Sequence, residues 1–305
     1  MNPLPTYDAF PDRPVFGATD FTGRARLAQN LLSRCREGQS ILLYGGPKLG
    51  KTSMLLHLKW LVEHAPETSK TAAAASYVDL TDEDARKQLL QGSDTGPAPI
   101  LLLDNCDRLL PDYGLSTLRK SMQRDCDTGG QAIVWAGTCA WPDAVREQNG
   151  APSLRRVPLA VLFQGEGRDL LKPYLAADQL DAALAAGGTH PYVLKTIAHE
   201  LRSSSRHLNG AIKAAGARLI PFFQACRAAL REASEQALLQ YLVEQARPIA
   251  PQDAARVVGL STIKSTADAL CCLGLISRWN LRDGAMLHAN CQLFNDWYLA
   301  DFPIS

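Results

Sequence analysis

The feature that most constrains this chain is an apolar run, Ile41-Leu42-Leu43-Tyr44, that ends in Gly45-Gly46-Pro47-Lys48-Leu49-Gly50-Lys51-Thr52-Ser53 and passes into a helical stretch. The spacing fits G-x-x-x-x-G-K-[ST], with Gly45, Gly50, Lys51 and Thr52 at the fixed positions. Glycines let such a loop curl with its backbone N–H groups pointing inward, and the following helix adds its positive N-terminal end. That arrangement cradles phosphates. It predicts an ATP site in which Lys51 neutralises the β and γ phosphates and Thr52 gives its hydroxyl to Mg2+. The motif needs a buried strand before it and a helix after it, which commits this part of the chain to an α/β architecture.

The surrounding pattern agrees. Ser40–Tyr44, Ser76–Leu80, Ile100–Leu103, Ala132–Ala136 and Val157–Leu162 read as short strands. Gly23–Cys35, Thr52–His64 and Leu115–Asp125 read as helices. Apolar runs of four to six residues without strict alternation suit strands buried on both faces, so the sheet should be parallel and covered by helices. A second half-site follows in Pro99-Ile100-Leu101-Leu102-Leu103-Asp104-Asn105-Cys106-Asp107. An apolar strand ending in Asp104, about 50 residues after the loop, reads as a Walker B strand whose carboxylate holds Mg2+ through water. Many such ATPases carry glutamate at the next position to polarise the attacking water. Here it is Asn105, which orients water but takes no proton. Asp107 is the nearest replacement carboxylate, or else a helix N-cap or surface charge.

From Gly165 onward the strand signals stop. Asp169–Leu175, Asp178–Ala186 and Pro191–Arg202 read as helices, with Gly187 and Gly188 as a C-cap, and Ser203–Ser205 as a linker. Ile212–Ala233 reads as helix interrupted near Pro221. The last segment reads as helices Glu235–Ala246 and Gln252–Val258 and a helix from Ser261 to about Leu273. Strands Leu275–Trp279 and Ala285–Ala289 follow around an Asp283-Gly284 turn, then a closing helix with Phe294, Trp297 and Tyr298. That is the layout of a winged helix. The expected division is an arm over 1–15, a P-loop core over 16–162, a helical lid over 163–205, a connector over 206–234 and a winged helix over 235–305.

Composition bounds the partners. Thirty-two basic residues nearly balance 31 acidic ones, so bulk charge draws the chain neither to nucleic acid nor to anionic membrane. Residues 235–305 hold five basic and seven acidic side chains, and the third helix there offers only Lys264, so strong duplex binding is disfavoured. No apolar stretch approaches membrane-spanning length and no signal peptide is visible, which reads as cytoplasmic. The eight cysteines form no CxxC pair and read as buried reduced thiols.

With these residues in hand, the chain resembles the AAA+-related STAND and archaeal-type P-loop ATPases. Phe21-Thr22-Gly23-Arg24, with Leu27, is similar to a box that lies near adenine in that group. The loop resembles GP-x-x-x-GKTSLL, and Leu101–Leu110 resembles LLLDE-x-D-x-L. The resemblance implies that Gly23, Arg24, Pro191 and the loop residues Gly45, Gly46, Pro47, Lys48, Leu49, Gly50, Lys51, Thr52 and Ser53 contact the nucleotide. Thr138 would be the polar sensor facing the γ-phosphate. Arg155 and Arg156 occupy the place of an arginine finger for a neighbouring subunit, although two exposed arginines are more often a solvated surface. His190 reads as a loop or core histidine. Such folds act as switches, which implies a slowly hydrolysing ATP-dependent device with a protein partner or self-association. An origin-recognition ATPase whose winged helix binds DNA is the alternative, and a nucleotide-locked scaffold a third reading.

Overall fold

The computed structural model describes residues 11–18, 21–65, 74–90, 99–109, 131–139, 155–203, 207–261, 263–281 and 284–301. The expected helix over 115–125, most of the arm over 1–15 and Ser204–Ser205 lie outside them. By their contacts the residues fall into two units: Pro14–Gly45 with Gly50–Leu159, and Met1–Arg13 with Gly46–Leu49 and Ala160–Ser305.

In the first unit, strands β1 (Ile41–Tyr44), β2 (Ala75–Asp79), β3 (Ile100–Asp104), β4 (Ala132–Gly137) and β5 (Arg155–Pro158) form one sheet in the order β2-β3-β4-β1-β5. Every pairing is parallel. β3 and β4 are buried along their whole length, as strands with two neighbours and two covered faces must be. Leu42, Leu101, Leu103, Ile133 and Trp135 pack with Leu80, Cys106 and Leu109 into one core cluster. Helices α1 (Ala25–Arg36), α2 (Lys51–Glu63) and α3 (Glu83–Leu90) belong to this unit.

Two local outcomes differ from the sequence pattern. β5 starts at Arg155 and ends at Pro158, not over Val157–Leu162, because among the described residues it is an edge strand held by backbone register to β1 alone, Ile41 opposite Arg155. Its pairing does not need an apolar run. The buried Leu159 and Leu162 lie beyond it. α3 was not signalled by apolar periodicity. Its start is set instead by Asp82, whose carboxylate accepts the Asp84 and Ala85 N–H groups at 2.9 and 3.2 Å.

In the second unit come α4 (Gln164–Leu171), α5 (Ala177–Gly187), α6 (Pro191–Ser203), α7 (Leu208–Ala228), α8 (Ala233–Gln245), α9 (Pro251–Val257) and α10 (Lys264–Leu273). An antiparallel hairpin, β6 (Ile276–Leu281) with β7 (Gly284–Ala289), and α11 (Gln292–Asp301) complete it. α4 begins five residues earlier than expected, where Glu166 accepts the Phe163 N–H at 2.9 Å. α7 runs unbroken through Pro221. An interior proline costs about 3 kcal/mol, offset here by the burial of Leu219, Phe223 and Cys226 and by ring contacts of Phe222 and Phe223 with His190, Tyr192, Phe294 and Trp297.

Cys35, Cys106, Cys226, Cys271 and Cys291 are free, as expected, whereas Cys139 and Cys272 are disulfide-bonded, so the expectation of uniformly reduced thiols does not hold. Among the described residues, no helix is long and apolar enough to cross a membrane.

Candidate nucleotide-binding site

β1 delivers the glycine-rich loop at the carboxyl edge of the sheet, and α2 starts at Lys51 directly after Gly50. Gly50 has φ 93°, a conformation open to glycine and strained for other residues. A Cβ there would also meet Arg24 Nη1 at 3.3 Å, which places the guanidinium beside the loop. Gly23 and Arg24 both have positive φ, and this turn sets the start of α1.

Lys51 donates from Nζ to the Gly45 carbonyl at 2.9 Å. Burial pushes its ammonium below the ordinary lysine value, while Asp104 and Asp107 pull it back up. A cation whose charge is disfavoured by burial suits a lysine that meets phosphate. Thr52 Oγ1 donates to Asp104 Oδ2 at 2.6 Å. Tyr77 OH donates to the same oxygen at 3.1 Å, and the Asn105 N–H donates to Oδ1 at 2.9 Å. Asp104 is 1% exposed. Ser53 Oγ accepts the Val15 N–H at 3.1 Å, which ties the preceding segment to α2.

Thr52 and Asp104 are hard oxygen donors already in contact, a set that fits Mg2+. Among the described residues no group of three or more His, Cys, Asp or Glu could hold a metal by itself. A metal at this place would share its remaining positions with phosphate and water.

The residues after Asp104 are fixed by the local backbone. Asn105 adopts φ 57°, which asparagine tolerates, and a 3-10 turn over Cys106–Leu109 follows. Its Nδ2 donates to Asp79 Oδ1 at 2.9 Å. Asp107 turns to Thr138: the Thr138 N–H reaches its two oxygens at 2.8 and 3.1 Å, and Thr138 Oγ1 donates to Oδ1 at 2.7 Å. Asp79 was not singled out by sequence. A strand-terminal aspartate is common, and only the register of β2 against β3, Asp79 opposite Asp104, gives it meaning.

The loop tip makes its contacts in the second unit. The Gly46 N–H donates to the Cys272 carbonyl at 2.7 Å, and a Cβ on Gly46 would lie 2.5 Å from the Leu273 carbonyl oxygen. Lys48, at φ 57°, pairs with Asp12 at 3.1 Å and lies over the Tyr192 ring at 5.4 Å. Leu49 is buried, and Pro191 opens α6 beside buried His190. Arg155 and Arg156 are exposed on edge strand β5.

Most of the chain has a counterpart among solved structures. The Walker-type ATPase paby2304 of Pyrococcus abyssi superposes with TM-score 0.61 at 13% identity, covering 93% of this chain and 97% of that one. Aeropyrum pernix ORC1 in complex with DNA (TM-score 0.48, 13% identity, 94% of each chain) and Thermotoga maritima RuvB (0.42, 14%, 92% and 94%) match more weakly. The parallel sheet and the Pyrococcus likeness define the class: this is the fold of a P-loop ATPase. No protein-family model matches the chain, and no curated protein matches it.

Proposed function

We propose that this protein is an ATP-binding, slowly hydrolysing switch of the STAND or AAA+ type that acts on a protein partner. The observation that carries the switch reading is the engagement of the loop tip. The Gly46 N–H belongs to the set that would face phosphate, and it is bound to the carbonyl end of α10 instead. A phosphate entering the loop competes with that carbonyl, so nucleotide state and the placement of α10 are linked through one donor.

In this reading Lys51 binds the β and γ phosphates, and Thr52 and Asp104 hold Mg2+, which supplies charge neutralisation on the phosphate oxygens. Arg24 and Gly23 line the approach beside Gly50, and Asp107 holds Thr138 in one orientation. The segment α8 to α11 with its hairpin acts as a winged helix that reports nucleotide state. Arg155 and Arg156, exposed on an edge strand, are available to a second subunit.

The test is calorimetry with ATP and Mg2+. Lys51→Ala should lose most of the affinity and keep its fold, because it removes the cation aimed at the phosphates. Asp104→Ala should weaken only the magnesium-dependent part. Unchanged ATP affinity in Lys51→Ala would overturn the assignment.

A further inference from the structure

The position after Asp104 lacks the carboxylate that activates water in many ATPases of this class, and Asp107 is engaged by Thr138 through both its oxygens. One strand away stands another carboxylate. β2 and β3 are parallel and in register with Asp79 opposite Asp104, so both acids emerge at the same edge of the sheet. Asn105 is turned by its positive φ so that its amide meets Asp79.

We propose that Asp79 and Asn105 together replace the missing glutamate: Asn105 orients the attacking water, and Asp79 accepts its proton. This rests on the reading of the site as an ATPase. Asp79 Oδ1 is occupied by the Asn105 amide and the Thr81 N–H at 2.9 Å each. The Thr81 side chain adds a third hydrogen bond to the Asp79 carboxylate. With two donors already on Oδ1 and about four lone-pair sites in all, at least one site on Oδ2 is left for a water, beside the Asn105 side-chain oxygen. The carboxylate is held ionised. Burial works against its charge, and the hydrogen bonds from Thr81 and Asn105 more than compensate, holding it below the ordinary aspartate value.

The step is a hydrolysis. The water oxygen bonds to the γ-phosphorus as the bond from that phosphorus to the βγ-bridging oxygen breaks. The bridging oxygen keeps the electron pair and departs with ADP. The proton released by the water goes to Asp79 Oδ2 and from there to the inorganic phosphate.

The competing role for Asp79 is structural, since its Oδ1 closes a turn onto Thr81. Asp79→Asn separates the two, because an asparagine oxygen still accepts the Thr81 N–H but takes no proton. ATP affinity, thermal midpoint and single-turnover hydrolysis are measured on the full chain for the parent, Asp79→Asn, Asn105→Asp and the double variant Asp79→Asn/Asn105→Asp. Asp79→Asn should bind ATP and unfold as the parent does while hydrolysis falls by about 10²-fold or more. The double variant, with the carboxylate moved back to β3, should recover at least part of that loss. Parent-like hydrolysis in Asp79→Asn overturns the proposal, as does a parent that binds ATP but hydrolyses no faster than Lys51→Ala. A parent that does not bind ATP sinks the ATPase reading itself, a separate result.

Discussion

At the scale of single residues, His57 on α2 carries a consequence outside the phosphate chemistry. Its ring stacks on Phe21 at 3.9 Å between centroids and 7° between planes, and Trp60 and His64 continue the stack. Burial holds its imidazole below the ordinary 6.5, so the folded protein keeps it neutral. Below pH 6.5 the unfolded chain takes a proton that the folded one refuses. Stability is therefore complete above that pH and falls as pH drops toward the lowered folded value. His288, half-buried in the hairpin and stacked on Trp279, shifts in the same direction. We expect the urea midpoint to be lower at pH 5.5 than at pH 7.5, and His57→Phe, which keeps the stack, to reduce the difference. An identical pH dependence in the variant would assign the effect elsewhere.

At the scale of elements, the joint between α5 and α6 is tightly specified. Gly188 has φ 61° and ψ −142°, a region essentially reserved for glycine, and a Cβ there would fall 1.7 Å from the Asn290 carbonyl oxygen. The Asn290 side chain in turn accepts from Thr189 N, Thr189 Oγ1 and Ser277 Oγ at 3.1 to 3.4 Å and donates to the Gly274 carbonyl. One asparagine thus joins the α5–α6 turn, the hairpin and the end of α10. Gly188→Ala should destabilise by at least ~2 kcal/mol, the sum of backbone strain and overpacking, read as a loss in denaturant midpoint. Sequence shows the Gly187-Gly188 stop, because a helix C-cap is a local event. It does not show Asn290, whose role depends on three elements meeting. The same division runs through the candidate site. Lys51, Thr52 and Asp104 are legible because a loop and a strand end announce them locally. Asp79 needs the β2–β3 register, the hold of Asp107 on Thr138 needs the turn after Asn105, and β5 is displaced because an edge strand is placed by its partner's backbone.

At the scale of the whole molecule, charge and tryptophan placement decide between the two leading readings. With more acids than bases over residues 235–305 and only Lys264 on α10, duplex DNA should bind weakly and with strong salt sensitivity. Trp279 is 44% exposed on the hairpin and Trp297 packs on Phe223 and Phe294. Saturating ATP and ADP should therefore give different tryptophan emission and different protease cutting around residues 203–209. Sub-micromolar, sequence-selective DNA binding at physiological salt, with no nucleotide-dependent change, would favour the origin-recognition reading.

The bond from Gly46 to the Cys272 carbonyl also bears on what an ATP dissociation constant would measure. If the loop receives phosphate only after that bond opens, the observed constant is the loop's own constant divided by the fraction of molecules in which it is open. A chain open one time in a hundred would show about hundredfold weaker binding with an unaltered phosphate site. Substitutions near Leu273 and Gly274, which carry no phosphate-binding group, would then tune affinity in either direction. A partner that draws α10 away would raise the affinity for ATP, and by reciprocity ATP would recruit that partner.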